Sequence, residues 1–213
     1  MEFLPEEIEN YALEHTSKEQ TLLSELNRQT HINILQPRML SGHLQGRILS
    51  TFSHMIRPKR ILEIGTYTGY SALCLAESLD SNGKLFTIDI NKELEPFTRS
   101  YIKKSQNEHK IEYLIGNALD IIPHLDEKWD LVFIDADKEN YCNYFDLVLD
   151  KVVDGGFIIV DNVLWSGKVI ESIDKKDDET LGIVAFNEKV HNDPRVENVL
   201  FPVRDGLMVV RKL

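Results

Sequence analysis

The chain of 213 residues predicts a three-layer α/β fold built on a mostly parallel sheet. Three observations carry that reading. Short apolar runs alternate with helical patterns from about residue 58 onward. The runs are rich in Ile, Val, Leu and Phe with little polar alternation, as in strands covered on both faces. The tail departs from this rhythm, because Arg-Asp-Gly at 204–206 separates two apolar runs and signals an antiparallel hairpin.

Taken in order, PEEIENYALEH opens a helical cap, with Pro5 and acidic residues placed favourably at a helix start. Leu40, Leu44, Ile48 and Phe52, four apart, predict a later cap helix with these residues facing the core. The cap is assigned to 1–57 and the core to 58–213, within one domain. The core strands are RILEI (60–64), KLFTIDI (84–90), IEYLIG (111–116), WDLVFID (129–135) and GGFIIVD (155–161). One helical stripe between them joins Ala72, Leu75, Ala76 and Leu79, and another joins Tyr141, Tyr144, Phe145, Val148 and Val152. Such alternation implies right-handed crossovers and parallel pairing. NVLFPV and LMVVRKL complete the sheet as the hairpin, while the polar stretch 166–180 reads as an exposed loop before a final helix.

Composition narrows the function classes. A net charge of -11 disfavours a broad nucleic-acid surface, although a small local contact with RNA stays open. No apolar run approaches the roughly 20 residues of a membrane helix, and MEFLPEEIEN lacks the basic and apolar regions of a signal peptide. Cys74 and Cys142 lie in apolar patterns and read as small hydrophobes, neither a disulfide nor a metal cluster. The expected location is the cytoplasm.

In open α/β sheets, ligands sit beyond the carboxyl ends of the strands. The first strand enters EIGTYTGYS, where Gly65 and Gly69 bracket a tight turn that would let a ligand approach the backbone. Asp89, twenty residues after Gly69, ends the next strand and suits the hydroxyls of a ribose. The pattern E-x-G-x-x-x-G lacks the central glycine of a dinucleotide fingerprint. Glu63 would repel a pyrophosphate and suits an amine or sulfonium, which favours S-adenosylmethionine over NAD. Ala118, in IGNALD, has room for a flat base beside it.

FIDADKENY places Asp135 at the end of the fourth strand, and Asp161-Asn162 ends the fifth. Two carboxylates brought together repel unless a cation joins them. Three oxygen donors suit Mg²⁺, with Mn²⁺ or Ca²⁺ as alternatives, better than zinc. A catechol-type substrate would complete the coordination with vicinal oxygens, and Lys138 would accept the phenolic proton, its pKa lowered by the neighbouring cation. Acceptor specificity is expected in the cap, in Trp165 and in the 166–180 loop.

EIGTYTGYS, FIDADKENY, DNVLWSG and PVRDGL together resemble the metal-dependent class I O-methyltransferases of the catechol and caffeoyl-CoA type. That resemblance implies a Rossmann-like fold with a seven-stranded sheet and, commonly, a homodimer. It implies that Glu63, Gly65, Thr66, Ser71 and Ser41 contact the methionine part of S-adenosylmethionine. It further implies Asp89 at the ribose, Ala118 at the adenine and Asp137 at the cofactor's amino end. Asp135, Asp161 and Asn162 would hold the metal, Asp135 thereby serving both catalysis and the cofactor edge, with Lys138 as base and Met39 beside the reactive methyl. Gln45 stands where plant members have glutamate, Asn117 where aspartate is usual, and Arg204 where glycine is usual.

The rival readings are methylation of 5-hydroxyuridine in tRNA, an NAD-dependent oxidoreductase and a non-catalytic cofactor-binding module. The missing glycine opposes the second, and Lys138 beside metal-type ligands opposes the third.

Overall fold

The computed structural model describes residues 5–172 and 174–213. The first four residues of the predicted cap and residue 173 of the predicted loop lie outside these.

Eight α-helices among the described residues surround one sheet. Helices α1 (Glu6–Glu14), α2 (Thr21–Asn33) and α3 (Gly42–Ile56) precede the first strand. The core then runs β1 (Arg60–Ile64), α4 (Tyr70–Leu75), β2 (Lys84–Asp89), α5 (Glu95–Lys104), β3 (Ile111–Ile115) and α6 (Ala118–Ile121). It continues with β4 (Trp129–Ile134), α7 (Tyr141–Leu149), β5 (Val152–Asp161), α8 (Asp178–Asn192), β6 (Val196–Phe201) and β7 (Leu207–Lys212).

The seven strands lie in the order β3-β2-β1-β4-β5-β7-β6. The first five run parallel, and β7 pairs antiparallel with both β5 and β6. The mostly parallel sheet and its terminal hairpin are therefore as expected. Successive strand residues serve opposite faces. Leu62, Ile64, Val132, Ile134, Ile158 and Val160 pack with α7 and α8, whereas Ile61, Leu85, Leu131, Phe133 and Ile159 pack with α3 and α4. Fully burying one such side chain stabilises the fold by about 1.5–3 kcal/mol, which is why both faces of these strands are apolar.

Several details differ from expectation. The most buried face of α3 is Gln45, Gly46, Leu49, Ser50 and Ser53, one position on from the predicted stripe, whose Leu44, Ile48 and Phe52 are half-buried. The cause is close helix packing. A Cβ on Gly46 would stand 2.6 Å from the Tyr70 ring and 2.8 Å from Cys74 Sγ, so small residues let α3 settle onto α4. Val152 belongs to β5 and not to the preceding helix, and β5 starts three residues earlier than expected, where its register with β4 shifts. Pro202 and Val203 leave β6 and lengthen the hairpin connection to 202–206, with Gly206 N–H donating to Val203 O. Helix α8 begins inside the predicted loop because Asp177 caps it by accepting from Thr180 N–H at 3.1 Å. Among the described residues, no helix is long and apolar enough to cross a membrane.

Strand order reverses between β1 and β4, opening a crevice over their carboxyl ends.

Candidate active site

The first wall of the crevice is the β1–α4 loop. At its start Gly65 has φ 97°, and a Cβ there would sit 1.8 Å from the Asp135 carbonyl oxygen. The glycine is thus required by the neighbouring strand end, a tighter constraint than the ligand approach expected of it. Asp135 N–H donates to Ile64 O at 2.8 Å, so the β1 and β4 ends are locked together.

Asp89 organises the same loop. Its Oδ2 accepts from the backbone N–H groups of Thr66 at 3.0 Å and Tyr67 at 2.6 Å, and its Oδ1 accepts from Asn91 N–H at 2.8 Å. A carboxylate has about four lone-pair sites, so Oδ1 retains acceptor capacity for a ribose hydroxyl.

Glu63 is fully buried behind the loop. Thr87 Oγ1 donates to its Oε2, while Oε1 has no hydrogen-bond partner among the described residues. Burial pushes its pKa up to about 8, partly offset by the nearby hydroxyls of Ser71 and Thr87. An orphaned buried carboxyl oxygen fits a ligand that brings a cationic or hydrogen-bond-donating group.

Met39, Ser41, Gly65, Thr66, Ser71 and Asp135 meet around one narrow crevice, joined by Leu40, Tyr67 and Tyr70. Ser41 is buried at the start of α3, and Met39 is exposed at the rim. Ala118 is buried at the start of α6, where the Asn117 side chain accepts from Leu119 N–H at 2.9 Å and performs the cap an aspartate would. Asp137 is exposed, and its carboxylate accepts from the Tyr144 hydroxyl at 2.5 Å and from the Asn140 amide. A larger, open depression of about 640 Å³ lies on α3 around Ser50, His54 and Met55, away from every strand end just described.

The second wall gathers the ends of β4 and β5. Lys138, 7% exposed, directs Nζ to Asp135 Oδ1 at 3.0 Å, Asn162 Oδ1 at 2.8 Å and the Tyr141 hydroxyl at 2.6 Å. Its ammonium also lies 5.7 Å from the centre of the Trp165 ring, within cation–π range. Asn162 adopts φ 60°, a left-handed conformation that asparagine tolerates better than most residues. Asp161 is buried, and its Oδ2 accepts from Gln45 Nε2 at 2.6 Å. Burial, and then the charge of Asp135, raise the Asp161 pKa, against the influence of Gln45 and Lys138.

Asp135 and Asn162 thus offer hard oxygen donors to a cation, the Lys138 ammonium, and Asp161, the residue before Asn162, adds a carboxylate that accepts from Gln45 and from Asn162 N–H. That donor set fits a divalent ion of the Mg²⁺ type. With two carboxylates and an amide, it is a leaner set than a cluster of three His, Cys, Asp or Glu, of which the described residues hold none.

Two contributors were not singled out from the sequence as parts of this site. Tyr141 read only as part of an apolar helix stripe, yet its hydroxyl accepts from Lys138 and donates to Asp161 O at 3.0 Å. Its spacing of three from Lys138 was the available signal. Gln45 read as a departure without a role, and it reaches Asp161 across 116 positions of sequence, for which no local signal exists.

Known proteins supply an independent line. A family model described as O-methyltransferase matches residues 13–213. The chain is 37% identical over 180 residues to a caffeoyl-CoA O-methyltransferase of Medicago sativa, covering 79% of this chain and 73% of that protein. An O-methyltransferase from Bacillus cereus, solved in complex with SAH, superposes with a TM-score of 0.90 at 29% identity, covering 97% of both chains. TomG from Streptomyces achromogenes, an O-methyltransferase involved in tomaymycin synthesis and solved with SAM, gives 0.87 at 29% identity, covering 97% of this chain and 96% of that one. With the fold in agreement, the chain belongs to the S-adenosylmethionine-dependent O-methyltransferase family, alongside the caffeoyl-CoA enzymes.

Proposed function

We propose that the chain transfers the methyl group of S-adenosylmethionine to one hydroxyl of a vicinal diphenol, with a divalent cation, Mg²⁺ by preference, held by Asp135, Asp161 and Asn162. The observation that carries this reading is the convergence of Asp135, which lines the crevice, with Asn162 and Tyr141 on the Lys138 ammonium. When bound, the metal would supply charge that lowers the pKa of a phenolic hydroxyl.

The protein's own groups would do the rest. Lys138, once unprotonated, takes the phenolic proton at Nζ, and Tyr141 holds that nitrogen in place. Glu63 and the Gly65–Ser71 loop receive the aminoacyl and sulfonium end of the methyl donor, Asp89 its ribose and Ala118 its base. Ser41 and Met39 close the crevice from the cap. Trp165 forms a flat apolar wall beside Lys138 against which an aromatic acceptor stacks. Most of the acceleration would come from alignment of methyl and oxygen in a dry crevice. Asp137 would meet the amino end of the donor.

A homodimer in the cytoplasm belongs to the same reading, supported by the family resemblance and checked by light scattering and fractionation. Methylation of tRNA is the rival outcome, opposed by the net charge of -11. Labelled methyl transfer to catechols with Mg²⁺ or with EDTA separates these readings.

A further inference from the structure

Arg204 sits in the turn between β6 and β7 at φ 51°, a left-handed conformation that side chains other than glycine adopt at a cost. Its side chain crosses to the cap. Nη1 donates to Gln45 Oε1 at 2.7 Å, and the same amide donates through Nε2 to Asp161 Oδ2 at 2.6 Å. Nη1 also stands 3.9 Å from the place a Cβ on Gly42 would occupy. The guanidinium is therefore held at the seam between cap and sheet, one glutamine side chain from the Asp161 carboxylate.

Five of the nine arginines (Arg47, Arg60, Arg99, Arg195 and Arg211) pair with carboxylates, and Arg204 is among the four that do not. Among the described residues, no carboxylate lies within ion-pair distance of Arg204, and its hydrogen-bond partner is a neutral amide. The adjacent Asp205 turns its carboxylate toward Ser166 N–H at 2.5 Å. A guanidinium has five donors in a planar fork that matches a carboxylate, and Arg204 spends one of them on Gln45.

We propose that Arg204 recognises a carboxylate on the methyl acceptor, making the preferred acceptor a small aromatic acid that carries vicinal hydroxyls. This rests on the diphenol reading above and narrows it. The bond to Gln45 orients the fork, the diphenol end lies toward Asp135 and Lys138, and the acid end lies toward the β6–β7 turn. A single arginine in a chain of net charge -11 suits one small anion better than a polyphosphate backbone.

The test compares 3,4-dihydroxybenzoate with its methyl ester, using Mg²⁺ and labelled S-adenosylmethionine, in the wild type and in Arg204→Gly. Glycine is at ease at positive φ, so the variant should fold, which a thermal melt checks. The expected result is a wild-type preference for the acid, expressed in KM, that falls about 10- to 100-fold in the variant. Equal proportional losses on acid and ester would mean that Arg204 serves only to hold Gln45, and would overturn the proposal. So would a wild type that methylates both compounds without preference, and that result would leave the diphenol reading standing. Methylation of tRNA with no turnover of either diphenol would overturn both readings.

Discussion

The two halves of the crevice satisfy their polar groups in different ways. Over β1, β2 and β3 the side chains are answered largely by backbone, apart from the Thr87 hydroxyl on Glu63: Asp89 takes N–H groups from Thr66, Tyr67 and Asn91, and Asn117 caps its own helix. Over β4 and β5 the side chains answer one another, through Lys138 with Asp135, Asn162 and Tyr141, and through Gln45 with Asp161 and Arg204. The first arrangement joins the ends of neighbouring strands through backbone donors. The second is a charged network assembled from the cap, two strand ends and the terminal hairpin, so its geometry depends on the whole fold. On the proposed reading, binding of the methyl donor and selection of the acceptor would fall to parts that can vary separately.

The largest expected effect breaks the network and spares the first arrangement. Lys138→Met should lower kcat by about 10²- to 10⁴-fold, the usual range for a lost general base. Donor binding, measured by calorimetry, should change little, and a parallel loss of donor affinity would show that the halves are not separable. Gly65→Ala strikes the joint between them. Its methyl group would meet the Asp135 carbonyl at 1.8 Å, so a destabilisation of about 3 kcal/mol or more is expected in a denaturant titration. An unchanged midpoint would mean that the two strand ends are less tightly joined than described.

How much of this was legible beforehand follows the same division. Gly65 and Asp89 lie at strand-to-helix turns and were pointed to by spacing, whereas Ala118 stood out only as a strand-end residue that the resemblance gave a role. Asp135, Lys138 and Asp161 stood out because charges ended apolar runs. Gln45 and Arg204 were visible only as departures from a pattern, since a contact spanning 159 residues leaves no periodic trace. The shifted face of α3 was hidden for a related reason. Hydrophobic spacing marks the apolar stripe, but the closest contact was made by Gly46, Ser50 and Ser53, small residues that a hydrophobic pattern undervalues.

Two smaller effects sharpen the comparison. Tyr141→Phe keeps the ring and removes a hydroxyl bonded to both Lys138 and Asp161 O. A loss of about 1–3 kcal/mol in stability is expected, with kcat reduced more than KM, and a fall in KM-derived affinity alone would place Tyr141 outside the catalytic network. Glu63 gives a pH signature. Its folded pKa of about 8 exceeds its unfolded value, so its contribution is fully present below the unfolded carboxylate range and is lost as pH rises through about 8. Without methyl donor, the wild type should therefore lose stability between about pH 5 and pH 8, and Glu63→Gln should flatten that slope. An identical slope in the variant would assign the loss to other groups.

The most direct test of the account is methyl transfer from labelled S-adenosylmethionine to a panel of catechols, run with Mg²⁺ and again with EDTA. The expected result is methylation of vicinal diphenols that disappears in the chelator and in Asp135→Ala and Asp161→Ala. Full turnover in EDTA, or in either variant, would contradict the role given to the β4 and β5 strand ends.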